Sequence, residues 1–305
     1  MDNAAVRIAI AATAVNRADL LQRQGFYPPP PGASPVLGLE CAGRVVEVGS
    51  EVSGFFEGDR VMALLAGGGY AEETVVHAGS VMKVPDRLSL EQAAAIPEVF
   101  LTSTLNLFQL GQMPKGGWAL VHGGGSGIGT ASIQLLKATG AQVIVTAGSA
   151  EKCARCLNLG ADAALNYNDG EFATAVSEIT KGRGIDVVFD SIGAPYLEQH
   201  LQCLALGGRL VLIGLMGGAK AEINLGLLMV KRLTVIGSTL RTRSVEEKSQ
   251  IVRGFLDRFG DDLASGRITA VVDRVLPLAE AQQAHELLQA SEHFGKVVLK
   301  VGEST

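Results

Sequence analysis

The chain has 305 residues, of which 47% are hydrophobic and 19% are charged, and its formal net charge is −5. This length favours two domains, each able to bury a hydrophobic core. An acidic chain without a run of lysine and arginine offers little attraction to a nucleic-acid backbone or an anionic membrane, so the composition argues against both partners.

The amino-terminal segment and the cysteines indicate a cytoplasmic protein. The start, MDNAAVRIAIAATAV, superficially resembles a secretory signal with a small-residue cleavage site. However, Val6, Ile8 and Ile10 alternate with smaller or polar residues, as in a half-buried strand. The cysteines are too few and too scattered for a disulfide framework: Cys41, Cys153, Cys156 and Cys203.

Residues 1–97 are rich in glycine and proline and contain short alternating stretches that predict a mainly β domain. The prolines of PPPPG at 28–32 donate no backbone hydrogen bonds, so this segment predicts a rigid, irregular excursion. Residues 242–305 contain two amphipathic helices, a stretch VVDRVLPL and a final strand KVVLKV. We expect them to return to the first domain, which would therefore be discontinuous.

Residues 98–241 alternate between apolar strands and helical segments, beginning with WALVH and ending with LTVIGSTL. Six apolar strands separated by helices predict an α/β domain in which both faces of a parallel sheet are covered. A doubly wound sheet of this kind binds ligands at the carboxyl ends of its strands.

The segment LVHGGGSGIGT at 120–130 joins the first of these strands to the first helix. It does not match a serine nucleophile elbow, because Ile128 stands where the elbow needs a glycine after Ser126. It does not match a triphosphate-binding loop either, because Thr130 follows Gly129 without an intervening lysine. A dinucleotide-binding turn and a plain structural turn remain.

The dinucleotide fingerprint places Gly124, Ser126 and Gly129 at its three glycine positions, with Gly127 as an additional glycine. The strand before the turn and the helix after it favour this interpretation over a plain turn. A serine at the second position admits a pyrophosphate only if its side chain points away or bonds to a phosphate oxygen.

The end of the second strand predicts which dinucleotide binds. An NAD site usually has a carboxylate there for the ribose hydroxyl, but TAGSAEK places Gly148 at that position and Ser149 and Lys152 just beyond it. A hydroxyl and an ammonium suit a 2′-phosphate, so we expect NADPH rather than NADH, although Glu151 counts slightly against this. Alternatively, Lys152 is an ordinary solvated helix residue.

The chain resembles the zinc-independent quinone oxidoreductase branch of the medium-chain dehydrogenase/reductase superfamily. The resemblance covers nearly the whole chain and rests on these strings: VNRADLLQRQGFYPPPPG, GLECAGRVVEVG, AAAIPEVFLTS, HGGGSGIGTASIQLLKATGAQVIVTAGS, IGLMGG and FGKVVL. It implies a GroES-like catalytic domain at 1–97 and 242–305, a Rossmann domain at 98–241, and a cofactor in the cleft between them. Members usually begin with a strand pair that this chain lacks, so we expect an exposed sheet edge or apolar face.

No metal is expected. Where zinc-using relatives carry their metal ligands, this chain has Asn16 and Leu39, which do not supply the required side chains. Cys153 and Cys156 lack a second ligand pair and are interpreted as incidental helix residues. His122, at the strand end before the glycines, is either close to the cofactor or a hydrogen-bonded structural residue.

The resemblance also implies site residues. Asn16 and Tyr27 are expected to line the nicotinamide and substrate cleft, although Asn16 could instead cap a helix and Tyr27 could simply pack on the prolines. The residues expected around the cofactor, besides the glycine turn and Gly148, are Thr102, Ile128, Ser149, Lys152, Tyr167, Gly214, Leu240, Arg241 and Lys296.

The expected activity is hydride transfer from NADPH to a quinone without a metal, with the proton coming from Tyr27 or water. One alternative is the reduction of 2-alkenals, enones or enoyl thioesters. Another is a cofactor-bound RNA-binding or structural role, as in the zeta-crystallin group, against which the acidic charge counts. The resemblance further implies a homodimer that pairs LTVIGSTL edge to edge.

Overall fold

Two units make up residues 1–302, the part of the chain that this computed structural model describes. The first unit consists of Met1–Leu101 and of the chain from Leu240 onward. The second unit is the continuous segment Thr102–Thr239.

The strands within the described residues are β1 (Ala5–Ala14), β2 (Glu40–Val48), β3 (Arg60–Leu64), β4 (Glu73–His77), β5 (Val81–Lys83), β6 (Trp118–His122), β7 (Gln142–Ala147), β8 (Ala163–Asn166), β9 (Ile185–Asp190), β10 (Leu204–Leu212), β11 (Thr234–Gly237), β12 (Val272–Pro277) and β13 (Lys296–Lys300). The α-helices are α1 (Arg17–Arg23), α2 (Leu90–Ala93), α3 (Pro97–Ser103), α4 (Gly127–Ala138), α5 (Ala150–Asn158), α6 (Phe172–Ile179), α7 (Leu197–Cys203), α8 (Leu225–Val230), α9 (Val245–Ser265) and α10 (Ala281–Gln289). A π-helical segment, Thr104–Leu110, continues α3.

The described part of the first unit contains a seven-stranded sheet in the order β12-β13-β1-β2-β3-β5, with β4 paired to β1. Val6, Ile8 and Ile10 of β1 are buried, as their alternation predicts. The strand β1 pairs with β2 along one edge and with β4 and β13 along the other. The first strand is therefore internal to the sheet and is not itself an exposed edge.

The described part of the second unit contains a six-stranded sheet in which every pair is parallel, in the order β11-β10-β9-β6-β7-β8. Counted from β6, this is the order 6-5-4-1-2-3 of a doubly wound sheet, and the predicted Rossmann fold is confirmed. The strands that follow β6 are added on one side of it, and the strands from β9 onward are added on the other side. Ligands are therefore expected at the carboxyl ends of the neighbouring strands β6 and β9.

The helix α9 carries the chain back into the first unit. Ser244 caps its amino end in a capping box with Glu247, and Gly266 ends it in the left-handed conformation at φ 82°. Its buried face includes Phe255, whose ring centroid lies 6.1 Å from that of Phe100. Among the described residues, no helix combines the length and the apolar character that crossing a membrane requires.

Candidate functional site

The glycine turn follows β6 and opens α4. Ser126 is the amino-terminal cap of α4, and its Oγ accepts a hydrogen bond from the Gly129 N–H at 3.0 Å. The serine side chain is therefore turned back onto its own helix, which meets the condition for a serine at the second fingerprint position. Gly123 enters the turn with φ 72°, a conformation that glycine adopts without strain.

Two glycines of the turn have no room for a side chain. A Cβ on Gly129 would lie 2.5 Å from the backbone of Gly124, and a Cβ on Gly124 would lie 2.7 Å from the Val145 side chain. These contacts bring the start of α4 against the ends of β6 and β7. Such close approach is the physical role of the fingerprint glycines, so the turn fits a dinucleotide pyrophosphate.

The amino end of α4 also has the electrostatics of an anion site. The N–H groups of Gly127 and Ile128 have no partner within the helix, since the first N–H groups of any α-helix lack an acceptor one turn earlier. The helix dipole adds partial positive charge at this end. Backbone donors and dipole together favour a phosphate.

At the end of β7, the structure brings together four of the residues predicted around the cofactor: Gly148, Ser149, Lys152 and Tyr167. A Cβ on Gly148 would lie 2.8 Å from Cζ of Tyr167, so the phenol ring lies directly over this glycine. Ser149 caps α5, and its Oγ accepts from the Lys152 N–H at 3.2 Å. The nearby Glu151 is exposed, and its carboxylate lies 3.9 Å from the guanidinium of Arg155.

Thr102 has a buried hydroxyl without a partner. Its side chain is 8% exposed, and its Oγ1 forms no hydrogen bond among the described residues. The carbonyl oxygen of the same residue accepts from Asn106 Nδ2 at 2.7 Å. A buried hydroxyl that lacks a partner is costly, so the prediction that Thr102 contacts the cofactor fits its environment.

Asp190 was not predicted from the sequence as a site residue. It ends β9 beside β6, and its carboxylate accepts from the N–H groups of Ile192 and Gly193, both at 2.8 Å. Burial raises its pKa to about 6. The predicted residue Gly214 lies close to this turn, because a Cβ on it would be 3.1 Å from the Ser191 carbonyl oxygen. The run IDVVFD, ending in a carboxylate at a strand end, was the available signal.

His122, His200 and Asp190 form a buried group of potential metal ligands whose ligand atoms lie within 4.8 Å of one another. The two histidines are hydrogen-bonded to each other through Nε2 at 2.8 Å, and His122 Nδ1 bonds to Thr146 Oγ1 at 2.9 Å. Burial lowers the pKa of both histidines, to about 3 for His200. The pair is thus neutral, and both ring nitrogens of His122 are hydrogen-bonded, which supports the structural interpretation of His122. Nδ1 of His200 has no partner among the described residues.

In the first unit, Lys296 and Glu40 form a buried ion pair of 2.8 Å with side chains 4% and 0% exposed. The ammonium also donates to Asn16 Oδ1 at 2.6 Å and to the Val15 carbonyl oxygen at 3.0 Å. These three bonds use all the N–H donors of the lysine. The side chain of Lys296 is therefore a positioning group in this unit. It has no N–H donor left for the predicted contact with the cofactor.

Asn16 is also held by its neighbours. Its Nδ2 donates to Glu40 Oε1 at 2.8 Å and to the Ala14 carbonyl oxygen at 3.1 Å. It also stands at the amino-terminal cap of α1, where its N–H donates to Asp19 Oδ2 at 2.8 Å. The lysine charge already balances the glutamate, so the residues at the positions of the relatives' zinc ligands do not fit a metal.

Arg241 clamps the proline-rich excursion. Its guanidinium donates to the carbonyl oxygens of Ala66 at 2.8 Å and Tyr27 at 3.0 Å, and to Gln22 Oε1 at 2.7 Å. It also lies 5.3 Å from the centroid of the Tyr27 ring. The arginine side chain thus orients Tyr27, and like its buried neighbour Leu240 it lies in the first unit.

Comparison with known proteins identifies the family of the chain. Residues 2–86 match the family profile of the alcohol dehydrogenase GroES-like domain, and residues 127–256 match that of the zinc-binding dehydrogenases. Over 296 residues, the chain is 29% identical to a component of the phenolphthiocerol/phthiocerol polyketide synthase of Mycobacterium tuberculosis. That match covers 97% of this chain but only 13% of the much longer synthase polypeptide.

Full-length relatives are also found. The chain is 35% identical to the quinone oxidoreductase of Pseudomonas aeruginosa, and the match covers 96% of this chain and 90% of that protein. The structure also resembles the crystal structure of Escherichia coli quinone oxidoreductase complexed with NADPH, with a TM-score of 0.85 and 32% sequence identity. The match covers 98% of this chain and 92% of the E. coli chain. The chain therefore belongs to the quinone oxidoreductase branch of the medium-chain dehydrogenase/reductase superfamily and is an oxidoreductase.

Proposed function

We propose that this protein is an NADPH-dependent quinone oxidoreductase that works without a metal. The observation that carries the proposal is the turn at Gly124–Gly129, where two glycines without room for a Cβ adjoin the free N–H groups of α4. NADPH, when bound, supplies the hydride. The protein contributes binding, orientation and a proton.

The preference for NADPH over NADH is proposed from the group at the end of β7. Gly148 replaces the carboxylate that would repel a 2′-phosphate, while Ser149 and Lys152 supply a hydroxyl and an ammonium. The E. coli relative was crystallised with NADPH, which supports the same choice.

The substitution Lys152→Ala tests this preference. It should weaken NADPH binding roughly tenfold or more and leave NADH binding nearly unchanged, because a charge-assisted hydrogen bond contributes about 1.5–3 kcal/mol. Lys115→Ala, at an exposed position of the same unit, is the control. Equal losses for both cofactors would show that Lys152 does not bind the phosphate.

A quinone as hydride acceptor is supported by the names of the full-length relatives. Tyr27, held by Arg241, is the proposed proton donor on the side of the protein. The direct test follows NADPH absorbance with 1,2-naphthoquinone as acceptor. If the protein binds NADPH but does not accelerate its oxidation, the quinone assignment is wrong.

Reduction of a conjugated carbonyl is the second candidate, because the chain matches a segment of a polyketide synthase over nearly its whole length. In that reaction the hydride goes to the β-carbon of an enone or enoyl thioester and the proton to the α-carbon. Comparing kcat/KM for a 2-alkenal, a crotonyl thioester and a quinone distinguishes the two candidates.

We further propose a homodimer formed through the edge of the second sheet. The edge strand β11 is preceded by an exposed apolar surface on α8, where Leu225, Met229 and Val230 are 66–74% exposed. Light scattering after gel filtration should give a dimer for the wild type and a monomer for Met229→Glu. A monomeric wild type would refute this assembly.

A further inference from the structure

Gly148, directly after β7, is required for reasons of space and not of backbone conformation. Its φ angle lies outside the left-handed region that favours glycine, so its backbone would accept any L residue. However, a Cβ on Gly148 would lie 2.8 Å from Cζ of Tyr167 and 3.5 Å from its Cε1. Carbon atoms in good contact are about 3.5–4.0 Å apart. Rigid ring atoms of Tyr167 therefore fill the space into which a side chain at position 148 would project.

Hydrogen bonds hold the backbone of Tyr167 against the end of β7. The N–H of Tyr167 donates to the Ala147 carbonyl oxygen at 3.1 Å, and Nδ2 of Asn168 donates to the Gly148 carbonyl oxygen at 2.9 Å. Asn168 is itself fixed, because its N–H donates to Asn166 Oδ1 at 3.2 Å. The tyrosine backbone cannot withdraw without breaking these bonds. Only a rotation of its side chain would make room at position 148, and that rotation would carry the ring away from the glycine.

The space beside Gly148 decides between the two dinucleotides. In an NAD-binding site, a carboxylate at the end of the second strand accepts a hydrogen bond from the ribose 2′-hydroxyl. A carboxylate at position 148 would need a Cβ there, and that Cβ would meet the Tyr167 ring. The same carboxylate would repel the 2′-phosphate of NADPH. Tyr167 is 44% exposed, so its ring covers the glycine on one side and is open to a ligand on the other.

We propose that Tyr167 is a specificity-determining residue that acts by exclusion. Its ring occupies the space in which an NAD-dependent enzyme holds its ribose-binding carboxylate, so an acidic residue cannot replace Gly148 while the tyrosine is present. This inference rests on the proposed preference for NADPH and names the steric cause of that preference. Tyr167 and Gly148 form a coupled pair: a change of either residue impairs NADPH binding, and a reversal of the preference requires a change of both.

A double-mutant cycle measures this coupling. Gly148→Ala adds a methyl group without a charge, and it should displace the ring and weaken NADPH binding about tenfold, as should Tyr167→Ala. Both changes remove the same contact between the phenol and the 2′-phosphate, so the double variant should also lose about tenfold. NADH affinity should stay near the wild-type value in all three variants. Gly260→Ala, whose Cβ would meet no atom within 4 Å, is the control. Losses that multiply to about 100-fold in the double variant would overturn the proposal.

Reversal of the cofactor preference tests the exclusion directly. Gly148→Asp alone should bind both cofactors weakly, because the aspartate and the Tyr167 ring compete for one space. Gly148→Asp combined with Tyr167→Ala should bind NADH about tenfold more tightly than NADPH. Gly148→Asp combined with Tyr167→Phe should not, because phenylalanine keeps the ring and loses only the hydroxyl. If the phenylalanine variant reverses the preference as well as the alanine variant does, the ring does not exclude the carboxylate and the proposal is wrong.

The affinities of the wild type separate this inference from the proposed function. Isothermal titration with NADPH and with NADH gives the dissociation constants without any turnover. A wild type that binds the two cofactors equally would refute the NADPH preference, and the exclusion with it. A wild type that prefers NADPH but whose variants lose affinity independently would refute the exclusion alone. Because Tyr167 is partly exposed, its replacement should leave the unfolding free energy nearly unchanged, which urea unfolding of each variant checks.

Discussion

Replacing Gly129 by alanine tests the close packing on which the cofactor turn depends. The new Cβ would lie 2.5 Å from the backbone of Gly124, whereas an ordinary contact requires about 3.4 Å, so the start of α4 would have to move by about 1 Å. Neither neighbouring backbone segment is a flexible side chain that could turn away. We expect overpacking to cost about 1–3 kcal/mol of unfolding free energy.

The same displacement would move the N–H groups that face the phosphate. A hydrogen bond lengthened by about 1 Å is largely lost, so NADPH affinity should fall at least tenfold. Urea unfolding of the free protein measures the change in unfolding free energy, and quenching of the Trp118 fluorescence on titration with NADPH measures the change in affinity.

Gly260→Ala is the matched control, because Gly260 also lies within a helix but has no atom within 4 Å of the position that a Cβ would occupy. Alanine is favoured over glycine inside helices by about 1 kcal/mol, so this variant should be slightly more stable than wild type. The two glycine-to-alanine substitutions should thus change the unfolding free energy in opposite directions. A Gly129→Ala protein with wild-type stability and NADPH affinity would refute the reasoning about the turn.

Three further predictions concern buried polar groups. Lys296→Met should cost about 3–5 kcal/mol because it leaves Glu40 buried without a counter-charge, and adding Glu40→Gln should recover part of the loss in urea unfolding. Burial lowers the pKa of His200 to about 3, so stability should be lost as pH falls from about 6.5 towards 3. In thermal unfolding, His200→Asn should reduce this loss, and an unchanged dependence of stability on pH would contradict the prediction. Lys231 donates to the carbonyl oxygens of Leu201, Gln202 and Leu204, at the end of α7 and the start of β10. Lys231→Met should therefore lower the unfolding free energy by roughly 1–3 kcal/mol. An unchanged unfolding free energy would show that water replaces the ammonium.

The strand and helix order of the second unit could be predicted from the sequence because its signals are local. Apolar periodicity marks each strand, and the glycine turn lies within a few residues of both elements that it joins. The capping role of Ser126 is of the same kind, since its partner is Gly129.

The polar cluster of the first unit could not be predicted in this way. Lys296 donates to Asn16 across 280 positions of sequence, and Arg241 reaches Tyr27 across 214. Resemblance assigned both cations to the cofactor, but the partners of their side chains are set by the tertiary fold.

The ion pair of Lys296 and Glu40 has a consequence for the order in which the protein folds during synthesis. The second unit is continuous in sequence and can close as soon as its own residues have left the ribosome. The first unit must wait, because β13 is inserted between β12 and β1 and carries the lysine that neutralises Glu40. Until β13 has been synthesised, β1 keeps an unpaired strand edge and Glu40 lacks its counter-charge, and an intermediate of this kind is exposed to aggregation.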